Sequence, residues 1–158
     1  MTEPGHYDVV IVGAGISGIG AAIKLNQMGV TNIAILEKGD SLGGTWRDNT
    51  YPGCACDVPS GLYSFSFAPN PEWSRLFAGQ PEIRTYIEET AAAYRVGDRV
   101  SFGTEMLRSQ WSDATGRWQV ETTRGIFTAR AIIAAAGPWN EPLTPNIPGL
   151  SSFRGEVF

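Results

Sequence analysis

The stretch Val9-Val10-Ile11-Val12-Gly13-Ala14-Gly15-Ile16-Ser17-Gly18 decides the fold of this chain. An aliphatic run passes at once into glycines spaced Gly-x-Gly-x-x-Gly, so a buried strand must turn sharply into a helix. Only glycine tolerates the backbone that such a turn demands. Gly13 permits the tight turn, Gly15 lets backbone N–H groups approach a pyrophosphate, and Gly18 lets the helix lie close on the strand. The helix N-terminus adds unpaired donors and partial positive charge at the same point.

Working outward, Ser17 to Met28 carries Ile19, Ile23 and Leu25 mainly on one helical face, which predicts the helix. A second apolar run, Ile33 to Leu36, is closed by Glu37. A carboxylate there can accept hydrogen bonds from both hydroxyls of an adenosine ribose, which favours FAD or NAD over a 2′-phosphorylated NADP.

The length of 158 residues predicts one domain, 1–158, that buries roughly two-thirds of its unfolded surface. The 19 glycines and 10 prolines gather at turns and between Gly39 and Pro81, which predicts a long, ordered, functional loop. A net charge of −4 with scattered arginines (Arg99, Arg108, Arg117, Arg124, Arg130) gives no basic stripe for nucleic acid. The longest apolar run, Ala131 to Ala136, is too short to cross a bilayer, and the Met-Thr-Glu-Pro start lacks signal-peptide regions. No membrane association and a cytoplasmic location are the expectations. Cys54 and Cys56, separated by one residue, read as small packing residues, and no metal site is expected. His6, the sole histidine, reads as solvated within an N-terminal tail.

Downstream, Gln80 to Tyr94 predicts a helix opened by Pro81, with Ile83, Tyr86, Ile87, Ala91 and Tyr94 as its apolar stripe. Val100 to Trp111, Arg117 to Thr123 and Ile126 to Ala136 read as strands, with a turn at Asp113-Ala114-Thr115-Gly116. That is a β-meander feeding a buried final strand, Ala131 to Ala136, after which Gly137-Pro138, Pro142, Pro145 and Pro148 carry the chain out of the sheet. The expected fold class is α/β: a doubly wound Rossmann-like domain with a small antiparallel β-meander insert.

From Gly43 to Ser60 the sequence is Gly-Gly-Thr-Trp-Arg-Asp-Asn-Thr-Tyr-Pro-Gly-Cys-Ala-Cys-Asp-Val-Pro-Ser, and here it resembles the FAD-dependent Baeyer–Villiger monooxygenases. Flavin-containing monooxygenases share Gly-Gly-x-Trp. The Tyr-Pro-Gly-x-x-x-Asp continuation, Leu62-Tyr63-Ser64-Phe65-Ser66-Phe67 and Gln80-Pro81-Glu82-Ile83 resemble the Baeyer–Villiger branch more closely. The likeness runs through nearly the whole chain and implies the FAD-binding domain of a flavoprotein with two dinucleotide-binding domains.

By that resemblance, the FAD pyrophosphate lies on Gly13, Gly15, Ser17 and Gly18 and the ribose on Glu37. Gly44, Thr45, Trp46, Asp57 and Tyr63 bind on the flavin side, and Met106 lies by the adenine with backbone contacts. The resemblance also implies that NADPH reduces the flavin and that O2 then gives a C4a-peroxyflavin, which attacks a ketone to form an ester or lactone. Sulfides and amines are alternative acceptors in such enzymes. Asp57 is the expected catalytic residue, because the matching aspartate pairs with an arginine beside the flavin; a carboxylate so placed orients a guanidinium where negative charge develops. The plainer reading is that Asp57 caps the turn before Val58-Pro59. For Trp46, stacking at the flavin and filling a core gap both stay open, while Phe65 reads as core packing.

The family pattern Phe-x-Gly-x-x-x-His starts at Phe153 and Gly155, and the sequence stops at Phe158. The resemblance therefore implies a truncated chain without the NADPH-binding domain or the arginine partner of Asp57. Such a chain is expected to be inactive alone, and to bind FAD weakly because apolar surface is left open. Two rivals remain on the sequence: a flavin-containing monooxygenase acting on amines or sulfides, and a non-catalytic dinucleotide-binding module.

Overall fold

The elements, in chain order, are β1 (His6–Val12), α1 (Ile16–Gln27), β2 (Ile33–Leu36), the single turn α2 (Thr45–Asp48), α3 (Gln80–Ala93), β3 (Val100–Ser101), β4 (Met106–Ser112), β5 (Arg117–Thr122) and β6 (Gly125–Ala134). They are taken from a computed structural model that describes residues 3–140 and 143–157. The Met-Thr start, Pro142 and Phe158 lie outside the described residues.

Alternation along β1 sends Val9 and Ile11 to one face and Val10 to the other, so both faces need cover. β1 pairs in parallel with β2, from Val9↔Ile33 to Val12↔Leu36, and with β6, from His6↔Thr128 to Val12↔Ala134. The sheet has six strands in the order β3-β2-β1-β6-β5-β4, parallel from β3 to β6 and antiparallel through the meander. On the first face Ile19 and Ile23 of α1 and Ile83 and Ile87 of α3 pack with Ile11, Ile35 and Val100. Each such fully buried side chain contributes about 1.5–3 kcal/mol. On the second face Val10, Ala34 and Leu36 pack with Val120, Phe127 and Ala129 of the meander. The Rossmann-like α/β class is therefore the observed one, with the second face covered by the meander strands of the same sheet.

Three local expectations change. Val100 to Trp111 is two strands, because at Gly103 (φ +60°) the chain turns, and Gly103 and Thr104 donate to the carbonyls of Gly39 and Glu37. The turn binds this segment to the end of β2 instead of extending it. The run Ala131 to Ala136 is not buried: β5 pairs with β6 only as far as Trp118↔Ala129, so the rest of β6 has β1 alone beside it, and Ala131 and Ala134 are exposed. His6 is no tail residue; it opens β1, exposed, with Nδ1 2.5 Å from Thr128 Oγ1. No helix of the described residues is long and apolar enough to cross a membrane.

The long segment between α2 and α3 is held by aromatic contacts and hydroxyl clips. Phe65 stacks on Phe67 at 4.9 Å, and its N–H donates to Tyr86 Oη at 2.7 Å, which donates in turn to the Ala68 carbonyl. Gly20 on α1 makes room for this cluster, since a Cβ there would lie 2.8 Å from the Phe65 ring. Ser60 Oγ accepts the Ala78 N–H at 2.7 Å and donates to the Leu76 carbonyl at 3.0 Å. Cys56 is buried in the core and Cys54 half-buried, both as free thiols.

Candidate dinucleotide-binding site

A cleft of about 410 Å³ opens at the carboxyl ends of β1, β2 and β6. Ligands of open α/β sheets bind in this position, because the strand-to-helix turns there expose backbone donors.

The glycine turn forms its floor. Gly13 has φ +103°, and a Cβ on it would lie 2.5 Å from the Ala135 carbonyl oxygen, so the chain leaving β6 can pass directly against it. Gly15 caps α1 in extended backbone; no side chain bonds the cap and no acidic residue sits in the first turn. The first-turn N–H groups, with Ile16 and Ser17 on the cleft wall, thus face an open space. Gly18 is buried and serves packing: a Cβ would overlap the Gly13 carbonyl oxygen and lie 3.4 Å from Ile11 Cγ2. It does not line the cleft.

Glu37 is 4% exposed and fully engaged on its protein side. Oε2 accepts the Ala14 N–H at 2.8 Å; Oε1 accepts the Gly39 N–H at 2.8 Å and Nη1 of Arg47 at 2.9 Å. Arg47 also donates through Nη1 to the Ser41 carbonyl at 2.6 Å, and through Nε and Nη2 to both oxygens of Asp48 at 2.6 and 3.0 Å. The bonds to Asp48 outweigh the opposing effect of burial and, with those to Glu37, hold the guanidinium protonated beyond its ordinary range.

Gly44 (φ +53°) meets Gly15 back to back, a Cβ on it lying 3.0 Å from Gly15 Cα, while Gly43 donates to the Ala14 carbonyl at 3.1 Å. The Gly43-Gly44 pair therefore docks the second loop onto the first. Trp46, 7% exposed, belongs to the core and the cleft wall at once. Its Nε1 donates to Tyr63 Oη at 2.9 Å, the two rings meet edge to face at 5.5 Å, and Gln80 Nε2 bonds its carbonyl. Thr45, Tyr63 and Met106, at the start of β4, complete the wall.

Of the residues expected from the sequence, the cleft brings together Gly13, Gly15, Ser17, Glu37, Gly44, Thr45, Trp46, Tyr63 and Met106. It does not include Asp57, which is exposed and has no side-chain hydrogen bond to another described residue. The turn there is fastened by Cys56, whose Sγ donates to the Val58 carbonyl at 3.2 Å. Sequence reasoning missed Arg47, Asp48, Lys38 and the Ala135–Asn140 wall. For Arg47 the structure, not the sequence, carries the signal: Gly39 has no positive-φ turn to explain it, and a Cβ there would meet the Arg47 guanidinium.

Residues 11–79 match the NAD(P)-binding Rossmann-like domain family. The chain is 50% identical over 153 residues to a Baeyer-Villiger monooxygenase of Streptomyces coelicolor, covering 97% of this chain and 30% of that protein. It is 45% identical over 154 residues to a Baeyer-Villiger monooxygenase of Pseudomonas aeruginosa, covering 97% of this chain and 29% of the relative. The structure superposes on that of OTEMO in complex with FAD and NADP with a TM-score of 0.85 at 35% identity, covering 99% of this chain and 30% of OTEMO. The chain thus spans about 30% of the length of the relatives it matches. By sequence and by fold, these 158 residues are similar to about 30% of the length of Baeyer–Villiger monooxygenases.

Proposed function

We propose that this chain is the FAD-binding part of an NADPH-dependent flavoprotein monooxygenase that converts ketones, with O2, to esters or lactones. The observation that carries this reading is Glu37, a carboxylate fixed in the cleft beside the uncapped first turn of α1. The donor set fits a dinucleotide: N–H groups for a pyrophosphate, a carboxylate for ribose hydroxyls, and an aromatic wall for a planar ring. Gly13, Gly15 and Ser17 would hold the pyrophosphate, Glu37 the adenosine ribose with Met106 near the base, and Thr45, Trp46 and Tyr63 the flavin side. When bound, FAD would supply the electron transfer from NADPH to O2.

The chain's own residues supply binding and orientation. Trp46 is locked by Tyr63 and Gln80, so the aromatic wall needs no rearrangement to meet a ring. Asp57 presents an exposed carboxylate without a hydrogen-bond partner among the described residues, suited to orient a guanidinium contributed from elsewhere in a longer protein. A cytoplasmic setting belongs to the same proposal and agrees with the free thiols of Cys54 and Cys56.

Titration of the purified chain with FAD, followed by flavin fluorescence, tests the binding half; saturable micromolar binding is expected, and no binding overturns it. The catalytic half is tested in a longer protein containing this region, by product analysis on a ketone and a tertiary amine. Ester or lactone supports the proposal, and N-oxide without ester refutes it.

A further inference from the structure

Gly39 stands in backbone that any residue can adopt, yet a Cβ there would fall on the Arg47 guanidinium, 2.6 Å from Cζ. Beneath the same side chain, a Cβ on Gly43 would lie 3.1 Å from Arg47 Cβ. The loop between β2 and α2 is therefore shaped around this arginine, whose side chain is 13% exposed and reaches the cleft. Its planar fork grips both oxygens of Asp48, and Nη1 spans from the Ser41 carbonyl to Oε1 of Glu37.

A carboxylate has about four acceptor positions. The protein fills two on Oε1, from Gly39 and Arg47, and one on Oε2, from Ala14. Arg47 thereby decides which oxygen of Glu37 is tied back and which keeps room for a ligand. We infer that Arg47 is a positioning residue for nucleotide recognition: it holds Glu37 so that Oε2 meets the adenosine ribose hydroxyls, and so sets the preference for an intact ribose. This rests on the proposed function, in that Glu37 is taken as the ribose reader.

The test compares ADP with 2′,3′-dideoxy-ADP by calorimetric titration of the chain and three variants. Gly39→Ala is the key variant, because it lies off the cleft lining and displaces only the far end of a flexible side chain. Arg47→Ala removes the group. Arg47→Lys keeps the charge but cannot span Glu37 and Asp48 together. The parent chain is expected to prefer ADP, and each variant to lose about tenfold of that preference, the equivalent of one charge-assisted hydrogen bond. Affinity of the Gly39→Ala chain for the dideoxy nucleotide should stay within about twofold, which a general loss of structure would not leave intact. If Gly39→Ala and Arg47→Ala keep the full preference, or if Arg47→Lys restores it, the positioning role is wrong while the ribose reading stands. If the parent chain shows no preference for ADP, the ribose reading itself fails.

Discussion

The end of the cleft around Glu37 and Arg47 and the segment around Asp57 are built in opposite ways. At the first, Ala14, Glu37, Gly39, Ser41, Arg47 and Asp48 satisfy one another within one closed set of hydrogen bonds. At the second, Asp57 and Val58 are exposed, as are Tyr51 and Leu62, the last at 79%. A closed polar set is rigid before any ligand arrives, because each group removed from water already has its partner. An exposed carboxylate flanked by exposed apolar side chains has no such network to hold it. The difference separates a polar set ordered by its own hydrogen bonds from a carboxylate left in solvent.

Substitutions should separate these regions by size of effect. Gly18→Ala should be the most damaging, since the new Cβ overlaps a backbone oxygen that cannot move aside. We expect a loss of about 3 kcal/mol or failure to fold, read by urea denaturation. Glu37→Ala should cost about 2–3 kcal/mol by leaving the Ala14 N–H and Arg47 short of a partner, and should abolish measurable FAD binding. A fall in FAD affinity of less than threefold would blur the contrast.

The clip at the start of α3 offers a pH test. Ser74 donates its N–H and hydroxyl to Glu82 at 2.8 and 2.7 Å, which lowers the carboxyl pKa below its ordinary 4.5. A pKa depressed in the folded state means stability that is fully present above about pH 4.5 and lost as pH falls through the folded value. Glu82→Gln should therefore flatten part of the acid limb of a stability profile and leave the neutral region little changed.

Asp57→Ala should have the smallest effect on the fold, within about 0.5 kcal/mol. In a longer protein carrying this region it should reduce oxygenation far more than FAD content. Unchanged turnover would remove the proposed role, and a large loss of stability would show that the open segment was structural after all.

Much of this contrast is legible in the chain, and for identifiable reasons. The glycine turn and Glu37 could be placed because their roles are local: a strand end, a sharp turn and a helix start lie within a few residues of one another. Gln80 to Ala93 was legible from its apolar stripe, ending one residue before the expected Tyr94. The split of Val100 to Trp111 was not, because it depends on hydrogen bonds from Gly103 and Thr104 to residues more than sixty positions earlier. The exposure of Ala131 and Ala134 was hidden too, since an apolar run does not reveal whether a neighbouring strand extends far enough to cover it.

What the sequence determined by itself is the class of fold, through backbone demands that few residues can meet. Tertiary structure alone decided that Gly44 is a glycine because Gly15 faces it, that Gly39 is one because Arg47 lies over it, and that Trp46 is both core and cleft wall. It also left Asp57 outside the cleft. Such facts depend on which surfaces meet across distant parts of the chain, and hydrophobic patterning, being local and periodic, carries no record of those meetings.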